Sequence, residues 1–149
     1  MSVSYDGLLH PVIRDIAMTH LESGNYRNAI LDAVTGLFDM LRARTRLDLD
    51  GDNLCNAAFS PHRPILIFSN LEGESGHNDQ RGFMDLFKGV YRGVRNPKAH
   101  SLAHDLNETK AGQYLVFLSL LARRLDEAKL VETDKIAGSP ATSSEGGAV

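Results

Sequence analysis

A single cysteine, Cys55, stands in a chain of 149 residues that has no tryptophan. One thiol excludes an internal disulfide and a thiolate zinc cluster, and it suits a reducing compartment. No apolar run approaches the roughly 18 residues that a membrane-spanning helix needs, so no membrane span or membrane partner is expected. The first residues, Met1-Ser2-Val3-Ser4-Tyr5-Asp6, lack the basic start and apolar stretch of a secretion signal, which makes the cytoplasm the expected location. Positive charge is not in excess either. A net charge of −3 excludes a uniformly basic coat for nucleic acid, while leaving room for a local basic patch. What is present is ordinary for a globular domain: 42% hydrophobic and 23% charged residues, in a length that buries a real core.

The apolar residues recur mostly at helical spacing. Leu9, Val12, Ile13, Ile16, Ala17 and Leu21 form one stripe and predict a helix from about Leu9 to Glu22. Gly24 is placed to end it in a left-handed conformation, and Asn25 to cap the next helix, about Tyr26 to Arg46. That helix carries Ala29, Ile30, Ala33, Val34, Leu37, Phe38 and Leu41 on one face, with Arg42, Arg44 and Arg46 in its last turns, where its dipole favours cations. A third long helix is expected from about Asp79 to Arg95, with a stripe of Phe83, Met84, Phe87, Val90, Tyr91 and Val94. It also contains Gly82, Gly89 and Gly93, each costing about 1 kcal/mol relative to alanine. Three such residues imply close approach by another backbone, in the core or across a dimer interface. The last helix is expected from about Glu108 to Leu130, with Tyr114, Phe117, Leu118, Leu121, Leu125 and Ala128 on one face.

The stretch between Leu47 and Asn78 reads less clearly. Asp48, Asp50 and Asp52 around Gly51 suggest a calcium loop, but the glycine precedes the third acid and position twelve is Phe59 rather than glutamate. A plain turn is the better reading. A short helix from Asn53 to Phe59 follows, then Pro61 and Pro64, and Ile65-Leu66-Ile67-Phe68 as a short buried strand or extended segment. Gly73 and Gly76 read as loop, and from Thr133 onward small and polar residues without apolar periodicity predict a disordered tail, residues 133–149. The whole is an all-α bundle of about four main helices in residues 1–132, with an irregular central insert. Cys55 reads as a small buried hydrophobe, Tyr114 and Phe117 as core, and Arg123 and Arg124 as a solvated helix face.

Chemistry concentrates where the third long helix should stop. Asn96 precedes Pro97, which steers it out of the α region, and the pair can cap and start a new short helix. Arg95 then lies on one side of the break and His100 one turn into the other. Between Lys88 and His100 there are four cations, Lys88, Arg92, Arg95 and Lys98, and no acid. Free N–H groups at the new helix start add to the pull on an anion. A histidine can take and return a proton near neutrality, and an arginine can hold charge on a crowded phosphorane. Those are the needs of RNA cleavage by its own 2′-hydroxyl. The spacing by itself says little. Arg followed by four to six residues and His is expected about once by chance and occurs twice, the other being Arg14 and His20 inside the first helix. His20 reads as structural, and Arg95 to His100 reads equally well as a helix-break cap with a solvated basic edge.

The wider string tips this balance. Gly82-Phe83-Met84 followed by Gly89-Val90-Tyr91-Arg92-Gly93-Val94-Arg95-Asn96-Pro97-Lys98-Ala99-His100 resembles the Ymh-type family of bacterial and phage-borne proteins. His10-Pro11, Gly24-Asn25-Tyr26, Leu49-Asp50-Gly51, Ala58-Phe59-Ser60 and Pro64-Ile65-Leu66 agree, so the likeness spans about Leu9 to Leu130. The family in turn resembles a branch of the HEPN superfamily, helical bundles whose mark is Arg, four to six residues, then His. The resemblance implies a metal-independent endoribonuclease, cofactor-free, acting as a toxin or in abortive infection against phage. It further implies a homodimer in which the motifs of two subunits meet, with an antitoxin or defence-system protein as a further partner. By that likeness Arg95 and His100 are catalytic, Asn96 supports them, and Lys88, Arg92 and Lys98 meet RNA phosphate. Ser101 stands where many relatives carry an acid. Two other readings compete: a non-catalytic nucleotide-, RNA- or protein-binding module, and a metal site on His100 and His104, for which only two ligands are evident.

Overall fold

The computed structural model describes residues 4–95 and 106–131. Its elements run α1 (Tyr5–Leu8), α2 (Pro11–Glu22), α3 (Tyr26–Thr45), α4 (Gly51–Phe59), β1 (Leu66–Ile67), α5 (Glu74–Val90), a π-helical turn (Tyr91–Arg95), α6 (Glu108–Glu127) and β2 (Lys129–Leu130). The architecture is the expected all-α bundle of four long helices, α2, α3, α5 and α6. The predicted tail beyond Thr133 lies outside the described residues. Among those described, no helix is long and apolar enough to cross a membrane.

Local chemistry sets the helix ends. The His10 ring accepts the Val12 N–H through Nδ1 at 3.2 Å, and Pro11 fills the first helical position, where its missing N–H costs nothing. This start falls two residues later than the apolar stripe suggested. At the other end Gly24 takes φ +74°, the Asn25 N–H bonds the His20 carbonyl at 2.8 Å, and the Gly24 N–H bonds that of Leu21 at 3.1 Å. These paired bonds close α2 in a Schellman motif, as the glycine predicted. Asn25 does stand at the start of α3, but its side chain makes no capping bond.

The core lies where the α3 stripe meets α2 and α6. Every residue of that stripe, Ala29 through Leu41, is fully buried, and Ile13 and Ala17 of α2 and Leu115, Leu118, Leu121 and Leu125 of α6 close over it. The same core extends to α4 and α5 through Phe59, Phe68, Phe83 and Phe87, with adjacent ring centroids 4.8 to 6.3 Å apart.

Several boundaries depart from expectation for tertiary reasons. The last helix stops at Glu127 rather than Leu130, because Lys129–Leu130 pairs antiparallel with Leu66–Ile67. Arg44, expected to serve the dipole of its own helix, instead donates to the carbonyls of Leu125 and Ala128 at 2.6 Å each, capping the end of α6. The α5 helix begins at Glu74, so Gly76 is helical rather than loop. A Cβ there would run into the Asn70 carbonyl, which is what reserves the position for glycine. Gly82, Gly89 and Gly93 are the reverse case: an added Cβ would meet no atom within 4 Å. Among the described residues, then, no backbone of the same core closes on Gly82 or Gly89, the first of the two places expected for such an approach.

Two polar side chains stitch the insert to the bundle. Gln80 is fully buried, donating to the carbonyls of Phe59 and Leu66 and accepting from the Phe68 N–H, at 2.9, 2.9 and 3.0 Å. Arg124 was expected on a solvated face and is not there. Its guanidinium lies over the rings of Phe83 and Phe68, 4.5 and 5.3 Å from their centroids, and donates to Asp79 at 2.8 Å. Arg123 is exposed, as expected.

Candidate functional site

The predicted break at Asn96-Pro97 lies outside the described residues, but the chain leading to it changes its winding. From Tyr91 to Arg95 the chain follows a π-helical turn, a geometry of five-residue hydrogen bonds that is rare and often found at functional sites. Its first residue anchors it. The Tyr91 ring packs on Phe38, with centroids 5.6 Å apart, and presses on the backbone at Gly51. Gly51 has φ +56°, and a Cβ there would lie 2.6 Å from the tyrosine ring. Glycine is thus required twice over, by conformation and by space. On the turn's far side the half-buried Arg95 guanidinium stands 5.5 Å from the centroid of the same ring, a cation–π contact.

Arg92 holds the turn from outside. Its Nε donates to Asp52 Oδ2 at 2.9 Å, and its Nη2 bonds the same oxygen. Asp52 is in the first turn of α4, so this pair ties the π-helical turn to α4 beside the Gly51–Tyr91 contact. The bond and the charge of Asp52 both raise the Arg92 pKa, and the guanidinium stays charged. Cys55, one turn further along α4, feels the same neighbourhood. Burial, then the Asp52 carboxylate, push its thiol up to about 12, against a smaller lowering by Lys88 and Arg92. It is a buried hydrophobe, as its sequence context suggested.

Of the residues singled out from the sequence, Lys88, Arg92 and Arg95 fall on α5 and its π-helical extension. Asn96, Lys98, His100 and His104 lie outside the described residues. Among those described, neither Lys88 nor Arg95 forms an ion pair, whereas Arg92 is engaged by Asp52. The partners Asp52, Gly51 and Tyr91 were not identified by sequence reasoning as parts of the site. The 40 residues separating Asp52 from Arg92 carry no periodic or motif signal that pairs them. The acids read as a plain turn do not form one: Asp48 and Asp50 lie in irregular chain, and Gly51 and Asp52 open α4. They share no centre, since Asp50 accepts from Arg42 Nη1 at 2.6 Å and Asp52 from Arg92. The second Arg–His match comes apart. His20 Nε2 faces Asp32 at 2.8 Å, while Arg14 reaches its neighbour Asp15 at 3.8 Å. His10 has both ring nitrogens occupied, by the Val12 N–H and by Asp126 Oδ2 at 2.6 Å, which leaves neither for proton transfer to a substrate.

No curated protein and no solved structure matches the chain. A family match does cover most of its length, from the start of the helical part to the last turns of α6. Over residues 7–125 the sequence matches the family described as "Protein of unknown function (Hypoth_ymh)", and the chain belongs to that family.

Proposed function

We propose that the chain is a metal-independent endoribonuclease of HEPN type, working as a homodimer in the cytoplasm as a toxin or anti-phage effector. The observation that carries the reading is the placement of Arg95. It ends a π-helical turn fixed by Tyr91, Gly51 and the Asp52–Arg92 pair, and no carboxylate among the described residues neutralises it. A guanidinium held in place but left unpaired is what a phosphorane needs, because preorganised charge acts without rearrangement during the reaction.

In this reading the 2′-oxygen of the substrate attacks the adjacent phosphorus. The P–O5′ bond breaks, leaving a 2′,3′-cyclic phosphate and a 5′-hydroxyl. His100 accepts the 2′-proton and a proton returns to the departing 5′-oxygen, while Arg95 stabilises the charged phosphorane. Asn96 supports the pair, and Lys88 and Lys98 hold flanking phosphates. Arg92 contributes chiefly by holding the turn. The glycine face of α5 supports the homodimer: Gly82 and Gly89 bracket the 41%-exposed Leu86, and among the described residues nothing packs where a side chain at either glycine would stand.

The second reading is a module that binds RNA or nucleotide phosphate without turnover; the engagement of Arg92 by Asp52 weighs against it, because it leaves less free cationic charge at the site. The test is incubation of single-stranded RNA with the protein in EDTA. Cleavage that falls at least about 10²-fold in His100→Ala supports the ribonuclease. Salt-sensitive retention of intact RNA supports the binding module.

A further inference from the structure

On the side of the bundle formed by α1, α2 and α6 there is an open groove of about 740 Å³, within the range of small-molecule sites. It has no part in the proposed RNA chemistry. Its long wall is a second face of α6, from Glu108 to Leu120, about 18 Å at 1.5 Å per residue. That face lies beside the one buried in the core, so α6 is apolar on more of its circumference than its packing in the bundle uses.

The lining is segregated along the groove. His10 meets Asp126 at one end of the α2–α6 pair, so the helices run antiparallel and the end of α2 lies near the start of α6. That arrangement brings Glu22 and Glu108 to the same end, together with the Tyr5 side chain, which packs over the bare backbone of Gly112. The proximity of Tyr5 and Glu108 has an electrostatic trace: burial first, then the charges of Asp6 and Glu108, raise the Tyr5 pKa. The phenol therefore stays neutral and keeps its proton to donate. Neither glutamate forms an ion pair among the described residues. Toward the other end the walls are Met18, Val116, Phe117 and Leu120, with Leu21 flanking the acidic end, and Leu120 is 49% exposed.

We infer that this groove binds a small amphiphilic molecule with an apolar body and an ammonium-type head. The body lies along Met18, Val116, Phe117 and Leu120, and the head sits between Glu22 and Glu108 against the face of Tyr5. Two unpaired carboxylates beside an aromatic ring attract a cation and repel an anion, while the apolar walls set no head-group preference.

The test is an NMR titration of the full chain at pH 7 with decylammonium and with decanoate, each below its aggregation concentration. The two share an apolar chain and differ in head charge. Decylammonium should shift the resonances of Leu21, Val116, Phe117 and Leu120 and bind about tenfold more tightly than decanoate, the scale expected of two partly exposed ion pairs. Glu22→Gln with Glu108→Gln, both at exposed positions, should bring the two affinities together. Leu120→Asn should weaken both. Failure of both ligands to bind, equal binding by the wild type, or shifts confined to another surface would each overturn the assignment. A groove shaped for a protein segment instead gives the first of these results.

Discussion

Asp52 at the start of α4 and Arg92 in the π-helical turn are joined through a single carboxylate oxygen that receives both Nε and Nη2 of the arginine. The other oxygen, Oδ1, is buried with no partner among the described residues. One arginine of the basic run is therefore committed to holding the turn, and in the proposed reading RNA is met mainly by its neighbours. Asp52→Asn should release Arg92 and steepen the salt dependence of RNA retention by about 0.7 in the log–log slope, one further phosphate on a single strand. Arg92→Ala should change that slope little. Retention measured across a salt series distinguishes the two, and the opposite pattern would show Arg92 reaching phosphate directly.

Gly51 should tolerate no side chain. Its φ of +56° costs an L-residue about 1–2 kcal/mol, and a Cβ would press into the Tyr91 ring at 2.6 Å. Gly51→Ala is expected to lose about 2 kcal/mol or more in denaturant unfolding, with part regained when Tyr91→Leu relieves the crowding. Wild-type stability in the single variant would contradict the described packing.

The outer glycines should behave in the opposite way. An alanine at Gly82 or Gly89 meets nothing within 4 Å among the described residues and gains helix propensity, so the monomer should be stabilised by about 1 kcal/mol per site. If a second copy packs on this face, the same changes should weaken the dimer in sedimentation experiments. A dimer indifferent to both substitutions places its interface elsewhere.

Cys55 gives a pH signature. Its thiol is raised from 9.0 to about 12 in the folded protein, so the unfolded chain ionises first as pH rises. Above about pH 9 the unfolded state then binds fewer protons than the native state, and stability falls with rising pH until the folded thiol also titrates near 12. The contribution is fully present below pH 9. Cys55→Ala should flatten the loss of unfolding free energy between pH 9 and 12, whatever its effect at neutrality; unchanged alkaline slopes would rule out this thiol as the source.

How far the sequence reaches is clear from particular residues. The α3 stripe and the Gly24 cap were legible because each depends on a local rule, helical period or positive φ. The end of α6 was not, because it is set by strand pairing with the sequence-distant Leu66–Ile67, and Arg124 looked solvated because its ring partners, Phe68 in the insert and Phe83 on α5, are remote in sequence. Helical spacing also continues smoothly through Tyr91 and Val94, which concealed the π-helical winding that carries Arg95. At the site the sequence pointed to Arg95 itself, while Gly51, Asp52 and Tyr91, which hold its turn, come together only on folding.

In the proposed reaction Arg95 and His100 cleave RNA through its own 2′-hydroxyl. The direct measurement uses labelled single-stranded RNA and the matching strand with 2′-deoxy sugars, each incubated in EDTA with wild type and with folded Arg95→Ala and His100→Ala proteins. Wild type should cut only the RNA, leaving 2′,3′-cyclic phosphate ends, and both variants should lose at least about 10²-fold in rate. Cleavage of the deoxy strand, or full activity in either variant, would contradict it.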